Sequence, residues 1–419
     1  MDAIYINGGR ELNGALDIVT AKNALLPILA GAIISGKRVV IRKVAMFLDV
    51  KYMLKILEDL GAIVNIEKGF VYIDSGTADK YIVSDEFTKK VRSSVFMLGP
   101  LLSRFKRAKV AYPGGCNIGN RPIDLHIKGL MSLNVKIEEK HGYIYCDGRN
   151  MRSGEVHLDF PSVGATENIM MAAASLKGVT TIYNAAREPE IIDLQNFLNS
   201  MGCRIRGAGS STITIIGVSS FYDTEYTVIK DRIVIGTYLV ATAMCGGKVK
   251  LLDCKKEYNE AIITKLKNCG ASIKESKSGL EITVKNRLKS IPSIETQPYP
   301  GFPTDLQNQV LTLQTISRGT SIIVENLYES RFKICNELTK MGADITVKDR
   351  TAIIKGVPRL YGANVVATDL RGGAGLVLAG LAAEGYTTIE DIYHIDRGYL
   401  SIEEDFCKLG AEIKRIQKL

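Results

Sequence analysis

The chain has 419 residues, of which 46% are hydrophobic and 24% are charged, and its formal net charge is +9 at pH 7. This is the composition of an ordinary globular protein large enough for two hydrophobic cores, and it excludes a low-complexity chain. Neither an apolar window of membrane-spanning length nor the basic and apolar start of a signal peptide occurs, so we expect a cytoplasmic protein without a membrane partner.

One phrase recurs six times at intervals of roughly 70 residues, and a repeat of that length indicates the architecture before any local motif does. Its middle residue is glycine in five instances and Asn134 in the second, and alanine follows the glycine in four of them. It occurs at 60–62, 133–135, 201–203, 269–271, 341–343 and 409–411. An amphipathic helical pattern precedes each phrase and a short alternating strand follows it.

A second element of the repeat is a helix rich in small and aliphatic residues that leads into a β-branched strand. In chain order, such helices are predicted over 21–36, 162–178, 231–247 and 370–385. Helices that are apolar on nearly all sides are normally buried, whereas the amphipathic helix at 54–60 is predicted to be half exposed. Each repeat therefore predicts a strand, a buried helix, a strand, an outer helix and two short strands. Six such units favour an α/β fold of two domains with three units each.

Cysteine and charge patterns restrict the kind of site. The eight cysteines occur singly, without a C-x-x-C pair or a histidine at metal-ligand spacing, so we expect no disulfide framework, no zinc site and no cofactor. The positive charge could indicate nucleic-acid binding, but lysine and arginine are dispersed and tryptophan is absent. A basic cleft for a small phosphorylated ligand fits at least as well.

Polar or charged residues stand at the predicted starts of the buried helices. They are Lys22 and Asn23, Arg92, Ser162 to Gly164, Asp231 and Arg232, Asp305, and Asp369 with Arg371. Serine and aspartate there are equally plausible as plain N-caps. Lysine or arginine beside a helix N-terminus is locally unfavourable, which indicates a bound anion. If the helices of one domain run parallel, these ends meet on one face.

The segment 112–122 is the most unusual local sequence. It contains three glycines and two prolines around Cys116, with Arg121 five residues later, and this composition predicts a long loop. A thiol beside cationic groups can act as a nucleophile or an acid near neutral pH. From the residues alone, an exposed cysteine without a role remains the alternative.

Four segments carry a resemblance to a known family: Lys22-Asn23, the loop from Pro113 to His126, Asn184 to Glu190, and Tyr393 to Tyr399. With them the chain resembles the UDP-N-acetylglucosamine enolpyruvyl transferases over essentially its whole length. The resemblance implies two inside-out α/β barrels of three repeats each. One would comprise 1–21 and 230–419 with Asp305 and Arg397, and the other 22–229 with the Cys116 loop.

The resemblance also implies transfer of the enolpyruvyl group of phosphoenolpyruvate to the 3′-hydroxyl of UDP-N-acetylglucosamine, with release of phosphate. Cys116 would donate a proton to the methylene carbon of phosphoenolpyruvate and could form a covalent adduct with it, and Asp305 would be the base. Lys22, Arg121 and Arg397 would clamp phosphate and carboxylate, and Asn23 would hold the tetrahedral intermediate. Further substrate contacts would come from Arg92, Pro122, Ile123, Asp124, Leu125, Ser162, Val163, Gly164, Leu327, Asp369 and Arg371.

In this interpretation the enzyme catalyses the first committed step of peptidoglycan synthesis, serves cell shape and division, and is a target of fosfomycin. Its partners would be the two small substrates, with no nucleic acid or membrane, and the sequence gives no oligomeric state. Leu48 and Phe160 depart from some relatives, which have lysine there.

Two alternatives remain open. The first is 5-enolpyruvylshikimate 3-phosphate synthase, which shares the fold and chemistry but is disfavoured by the Pro113–Cys116 loop. The second is a catalytically idle regulatory paralogue, which the retention of Cys116, Asp305 and Arg397 disfavours.

Overall fold

The computed structural model describes residues 2–88, 90–112 and 122–417, so Cys116 and Arg121 lie outside the described residues. The chain divides into two compact units. The first unit comprises the described residues up to Ile18 and from Lys230 onward, and the second unit comprises those between Val19 and Ile229.

The part of the chain before residue 230 mixes helices with single strands and with runs of two or three consecutive strands. The strands there are β1 (Asp2–Asn7), β2 (Leu12–Asp17), β3 (Arg38–Arg42), β4 (Ile63–Glu67), β5 (Phe70–Asp74), β6 (Arg107–Ala111), β7 (Lys136–Lys140), β8 (Tyr143–Asp147), β9 (Glu155–His157), β10 (Val179–Tyr183), β11 (Arg204–Arg206), β12 (Thr212–Ile216) and β13 (Thr224–Thr227). The α-helices are α1 (Lys22–Gly31), α2 (Leu48–Asp59), α3 (Asp85–Thr88), α4 (Leu98–Phe105), α5 (Asp124–Ser132), α6 (Val163–Ala173) and α7 (Pro189–Ser200), and a 3₁₀ helix covers Arg92–Met97.

The same mixture of strands and helices continues to the end of the described chain. The strands are β14 (Gly247–Leu252), β15 (Ser272–Ser276), β16 (Gly279–Val284), β17 (Ser293–Glu295), β18 (Thr320–Val324), β19 (Asp344–Lys348), β20 (Thr351–Lys355), β21 (Asn364–Val366), β22 (Tyr386–Glu390) and β23 (Glu412–Gln417). The α-helices are α8 (Arg232–Cys245), α9 (Glu260–Cys269), α10 (Gln307–Ile316), α11 (Ile334–Lys340), α12 (Leu370–Ala382), α13 (Tyr393–Asp396) and α14 (Ile402–Lys408). Short 3₁₀ helices cover Lys256–Asn259, Thr304–Leu306 and Arg331–Lys333.

Among the described residues, five of the six sheets repeat one strand order, which confirms the predicted repeat. In the sheet β11-β12-β10-β9, β9 pairs parallel with β10, β10 pairs antiparallel with β12, and β12 pairs antiparallel with β11. Two parallel strands need a crossover connection, and the buried helix α6 makes it between β9 and β10. The second unit also contains the sheets β13-β3-β5-β4 and β6-β8-β7, and the first unit contains β21-β22-β1-β23, β15-β16-β14-β2 and β17-β18-β20-β19.

Some strands reach their sheet from far along the chain. In the first unit, β2 pairs parallel with β14, and in the second unit β13 pairs parallel with β3. The sheet β6-β8-β7 lacks the first strand of the repeat among the described residues, and a single parallel bridge between Ile82 and Lys109 stands in its place.

The helices of the repeat differ in burial as predicted. In α8, every residue from Ile233 to Ala243 is buried, and α8, α10 and α12 pack against one another in the first unit. Replacing a fully buried leucine of this helix, such as Leu239, with alanine would cost about 2 to 5 kcal/mol. In contrast, α2 buries Val50, Met53 and Leu57 at helical spacing and exposes charged residues on its other face.

The buried helices end earlier than predicted. The structure ends α1 at Gly31 and α6 at Ala173, where the sequence pattern predicted continuation to 36 and 178. Both glycines at the predicted ends instead lie in turns, with φ of 62° at Gly36 and 98° at Gly178. Because such backbone angles favour glycine, these positions mark the turn into the next strand rather than the last helical residue.

Several negative findings hold for the described residues. None of their helices combines the length and apolarity needed to cross a membrane. No group of three or more His, Cys, Asp or Glu side chains in 2–88, 90–112 and 122–417 is arranged to hold a metal ion. The cysteines in these ranges are free thiols.

Candidate active site

The carboxylate of Asp305 is the centre of a buried ion-pair cluster in the first unit. Arg331 Nη2 donates to Asp305 Oδ1 at 2.7 Å, and Arg371 Nη2 donates to Asp305 Oδ2 at 3.0 Å. The side chains of Arg331 and Arg371 are only 3% and 5% exposed, whereas that of Asp305 is 26% exposed. Two buried guanidinium groups therefore hold this carboxylate, whose side chain stays partly exposed.

The cluster forms where buried helices of the first unit begin. Asp305 lies in the 3₁₀ turn that precedes α10, Arg371 is the second residue of α12, and Arg331 opens the 3₁₀ turn before α11. Asp369 caps α12 by accepting from the backbone N–H groups of Arg371 at 2.9 Å and Gly372 at 3.0 Å. Within this unit, the predicted meeting of helix starts is confirmed for α10 and α12.

Electrostatics explain why two buried arginines are tolerated here. Burial by itself lowers the pKa of Arg371, but attraction to Asp305 and weaker interactions with Tyr399 and Asp231 more than offset it, so the pKa is raised. The sequence suggested that a bound anion balances Arg371 at the helix N-terminus. The structure shows that Asp305 supplies that negative charge within the chain.

Glu325 connects the entry of α10 to the segment that contains Leu327. This fully buried carboxylate accepts from Thr304 Oγ1 on one oxygen at 2.9 Å. Its other oxygen accepts from Thr296 Oγ1 and from the backbone N–H of Leu327, both at 2.9 Å. These hydrogen bonds to one carboxylate connect the 3₁₀ turn that contains Thr304 and Asp305 to the segment that contains Leu327.

Arg397 directly follows α13 and is half-buried. Its charge lies close enough to His394 to affect that imidazole: burial lowers the pKa of His394, and repulsion from Arg397 lowers it further. Asp369 acts on the same histidine in the opposite direction. Arg397 is thus in the electrostatic neighbourhood of the Asp369 cap of α12.

In the second unit, Lys22 and Asp49 form a buried ion pair. Lys22 is the first residue of α1 and Asp49 the second residue of α2, and Lys22 Nζ lies 3.2 Å from Asp49 Oδ2. Their side chains are 9% and 5% exposed. Asn23 follows Lys22 in α1 and is half-buried. The pair holds the ammonium group at a helix N-terminus, where the helix dipole would otherwise disfavour it.

A second group of predicted residues meets at the start of α6. Ser162 caps this helix by accepting from the Ala165 N–H at 3.4 Å, and Val163 and Gly164 are half-buried. A Cβ atom at Gly164 would lie 2.9 Å from the ring of His126 and 3.2 Å from that of Phe96. Only glycine allows this close packing of α6 against α5 and the 3₁₀ helix.

Asn168 holds the same three elements together. Its Nδ2 lies 2.8 Å from His126 Nδ1 and donates to Val95 O at 3.0 Å, while its Oδ1 accepts from Gly99 N–H at 2.8 Å. Arg92 opens the 3₁₀ helix that this network positions, and Pro122, Ile123, Asp124 and Leu125 lead into or begin α5. The structure therefore brings the Arg92, Leu125 and Ser162 regions into one neighbourhood, whereas Cys116 and Arg121 fall outside the described residues.

Sequence reasoning missed the residues that orient the predicted ones. The sequence pattern predicts no role for Asp49, Arg331 or Glu325, although each is buried and contacts a predicted site residue or its backbone. For Asp49 there was a signal, because it stands beside Leu48, a position already noted as unusual. Nothing in the repeat distinguished Arg331.

Comparisons with known proteins agree over nearly the whole chain. The EPSP synthase (3-phosphoshikimate 1-carboxyvinyltransferase) family matches residues 6–406. The chain is 50% identical over 416 residues, 99% of this chain and 100% of the relative, to UDP-N-acetylglucosamine 1-carboxyvinyltransferase 2 of Caldanaerobacter subterraneus. It is 45% identical over 418 residues, 100% of both chains, to UDP-N-acetylglucosamine 1-carboxyvinyltransferase of Geobacter metallireducens.

Solved structures show the same fold at lower identity. The enolpyruvyl transferase NikO from Streptomyces tendae matches with a TM-score of 0.87 at 22% identity, covering 99% of this chain and 98% of that chain. EPSP synthase from Acinetobacter baumannii matches with a TM-score of 0.75 at 18% identity, covering 100% of both chains. These likenesses confirm the two-domain α/β fold.

Proposed function

Since the chain belongs to the carboxyvinyltransferase (enolpyruvyl transferase) family, we propose that it transfers the enolpyruvyl group of phosphoenolpyruvate to the 3′-hydroxyl of UDP-N-acetylglucosamine, releasing phosphate. The observation that carries the choice of acceptor is identity of 43% to 50% over almost the full length with relatives named for that acceptor. A likeness of fold alone would leave the acceptor open.

The chemistry requires three kinds of group. The sugar hydroxyl adds to C2 of phosphoenolpyruvate while a proton is added to C3, giving a tetrahedral intermediate. Loss of phosphate and of a C3 proton then restores the double bond in the product. A base on the hydroxyl, an acid at carbon and fixed positive charge around phosphate and carboxylate are needed, and they must fit the intermediate better than the substrates.

Asp305 is proposed as the base that accepts the proton of the sugar hydroxyl. An ionised carboxylate offers about four acceptor positions, and Arg331 and Arg371 each donate to one oxygen of Asp305. Its side chain is 26% exposed, and this exposure supports the proposed approach of a hydroxyl group. Arg331 and Arg371 would fix the direction of the carboxylate, since guanidinium groups hold a carboxylate more rigidly than an ammonium group does.

Cations for the phosphate and carboxylate of phosphoenolpyruvate are proposed to be Lys22, Arg121 and Arg397. Lys22 lies at the start of α1 with its ammonium group 3.2 Å from Asp49 Oδ2, and an ammonium group can donate to as many as three acceptors. We propose Asn23 as the group that holds the tetrahedral intermediate. Cys116 is proposed as the proton donor to C3; addition of its sulfur to C2 with that proton on C3 would give the covalent adduct.

For the nucleotide sugar we propose the neighbourhood formed by Arg92, the residues from Pro122 to Leu125, and Ser162 to Gly164. The backbone N–H groups at the start of α6 suit a diphosphate, because a helix N-terminus is partly positive. Leu327 would contribute backbone contacts, and Asp369 supports Arg371 through the cap of α12.

The proposed reaction supplies the first committed step of peptidoglycan synthesis, and with it cell shape and division, in the cytoplasm where both small substrates occur. Sensitivity to fosfomycin follows if Cys116 is the reactive thiol. The second candidate is enolpyruvyl transfer to shikimate 3-phosphate, which the description of the matching family favours.

One experiment separates the two acceptors. Phosphate release from phosphoenolpyruvate is followed with UDP-N-acetylglucosamine, with shikimate 3-phosphate, and with neither. Release only with the nucleotide sugar supports the proposal. Release only with shikimate 3-phosphate selects the second candidate, and no release by folded protein favours an idle paralogue.

A further inference from the structure

A groove on the first unit concentrates positive charge away from the residues discussed above. Its volume is about 630 Å³, and it is lined by one face of β14, β15 and β16 and by the segments after β16 and α10. The cations in it are Lys248, Lys274, Lys285, Arg287, Lys289 and Arg318. Below, these residues are called the basic groove.

The charge of the basic groove is exceptional for this chain. Six cations less one carboxylate, Glu281, leave +5 in the groove, more than half of the +9 carried by all 419 residues. A sphere of the groove's volume is about 11 Å across, close to the screening length of roughly 8 to 10 Å at physiological salt. The cations therefore repel one another with little screening, and an anion in their midst would relieve that repulsion.

Internal partners account for only part of this charge. Arg287 donates to the carbonyl oxygens of Ile316 and Ser317 at the end of α10, and to those of Gly356 and Val357. Arg287 thus connects the C-terminus of α10, where a cation is favoured, to the segment after β20.

Of the four lysines in the groove, Lys248 has a carboxylate partner. Lys248 Nζ lies 3.2 Å from Glu281 Oε1. Within the described ranges, no carboxylate lies at ion-pair distance from Lys274, Lys285 or Lys289, and all three side chains are exposed. Uncompensated charge collected in a concave surface is what a polyanion recognises.

The lining also limits the class of ligand. It contains no aromatic side chain on which a base could stack, and its neutral members include the hydrogen-bonding residues Ser272, Thr283 and Asn286. Lysine ammonium groups act as point charges for phosphate oxygens. The volume is that of a small-molecule pocket rather than a macromolecular interface. We propose that the basic groove binds a small ligand carrying two or more linked phosphate groups.

This site is distinct from the Asp305 cluster. Arg318 follows the C-terminal end of α10, whereas Asp305 precedes its N-terminal end. A helix of ten residues is about 15 Å long, so Asp305 and Arg318 lie near opposite ends of the buried helix α10. A phosphorylated ligand in the groove would therefore lie away from the place where the proposed reaction occurs.

The test titrates the full chain with inorganic tripolyphosphate as the probe. One titration is done without substrate analogues, and a parallel one is done with saturating analogues of phosphoenolpyruvate and UDP-N-acetylglucosamine. Isothermal titration calorimetry at about 0.15 M salt compares the parent with a Lys274→Gln/Lys289→Gln variant. The matched control is Lys177→Gln/Lys348→Gln, which removes the same charge from exposed lysines outside the groove.

The expected result is binding of one tripolyphosphate per chain that persists with the substrate sites filled. The groove variant should weaken it about tenfold and the control variant less than twofold, since local contacts rather than net charge carry it. A nucleoside triphosphate should bind within about threefold of the probe, because the lining offers nothing to a base. Phosphate release from phosphoenolpyruvate should be equal in the groove variant and the parent.

Three results would overturn the proposal: no binding by the parent, equal weakening in both variants, or much tighter binding of the nucleotide than of tripolyphosphate. Equal melting temperatures of parent and variants show that loss of binding is not loss of fold. Because the turnover assay is separate, failure of the groove proposal leaves the proposed reaction standing, and the reverse also holds.

Discussion

Replacement of Asp305 by alanine should destabilise the first unit as well as remove a base. Each arginine contact, at 2.7 and 3.0 Å, corresponds to a Coulomb attraction of roughly 5 to 6 kcal/mol at an effective dielectric constant of about 20. Desolvation offsets much of this, and removing one partner of a buried pair costs about 3 to 5 kcal/mol net. Since Asp305 is 26% exposed and Arg331 retains Asp369 at 3.9 Å, we expect about 3 kcal/mol.

The assay is urea denaturation followed by far-ultraviolet circular dichroism, because the chain has no tryptophan. The informative comparison is Asp305→Ala/Arg331→Met, which removes a buried charge together with its partner and should recover at least about 1.5 kcal/mol relative to Asp305→Ala. Asp344→Ala, at an exposed strand position of the same unit, should change stability by less than about 0.5 kcal/mol.

The reasoning is refuted if Asp305→Ala costs less than about 1 kcal/mol, or if the double variant is no more stable than the single one. Turnover should be nearly lost in both variants under conditions where they remain folded, with nucleotide-sugar binding mostly retained. Wild-type turnover in either variant would mean that another group is the base.

Three further outcomes are expected. Burial raises the pKa of Asp193 from 3.8 to about 6, partly opposed by hydrogen bonds from Tyr226 and Ile229. Between these pH values the native state therefore holds more protons than the unfolded state, so the free energy of unfolding should fall by up to about 3 kcal/mol as pH rises from about 4 to 6. Asp193→Asn should remove that pH dependence in urea titrations. An unchanged dependence of the free energy of unfolding on pH in this variant would contradict the prediction. Asp49→Asn should cost about 2 to 3 kcal/mol in the same assay by taking the carboxylate from buried Lys22, and a change below about 0.5 would contradict the importance of that pair. Brief alkylation of native protein should label exposed Cys407 and spare buried thiols such as Cys335, whose pKa burial raises to about 12; peptide mass spectrometry showing Cys335 labelled at the rate of Cys407 would contradict this.

The repeat could be predicted because the amino-acid composition of each helix indicates whether that helix is buried. In α8 and α12 nearly every residue is small or aliphatic, and both are buried almost throughout. The strand that follows each one is β-branched at the positions that the structure pairs, such as Val249 with Ile282 and Ile389 with Ile4. Local chemistry therefore determines the order of elements and the burial of each helix.

The orienting residues could not be predicted because their partners are distant in sequence. Arg371 is separated from Asp305 by 66 positions and Arg331 by 26, and nothing in either local pattern specifies the other. The contact of Asp305 with Arg371 forms where α10 packs against α12, and Arg331 reaches Asp305 from the 3₁₀ turn before α11. Asp49 meets Lys22 for the same reason, through contact of α1 with α2.

The bridge between Ile82 and Lys109 illustrates a different limit. The second repeat has the helices and the later strands of the others, yet its first strand is reduced to that bridge in the described chain. A periodic phrase predicts that a unit exists, but the length of one short edge strand depends on only a few hydrogen bonds.

The measurement that tests the central claim most directly is steady-state phosphate release from phosphoenolpyruvate with UDP-N-acetylglucosamine, with shikimate 3-phosphate, and without an acceptor, each for the parent and for Cys116→Ala. The account predicts release by the parent only with the nucleotide sugar, and its near disappearance in Cys116→Ala. Release with shikimate 3-phosphate alone, or full turnover of Cys116→Ala with the nucleotide sugar, would contradict it.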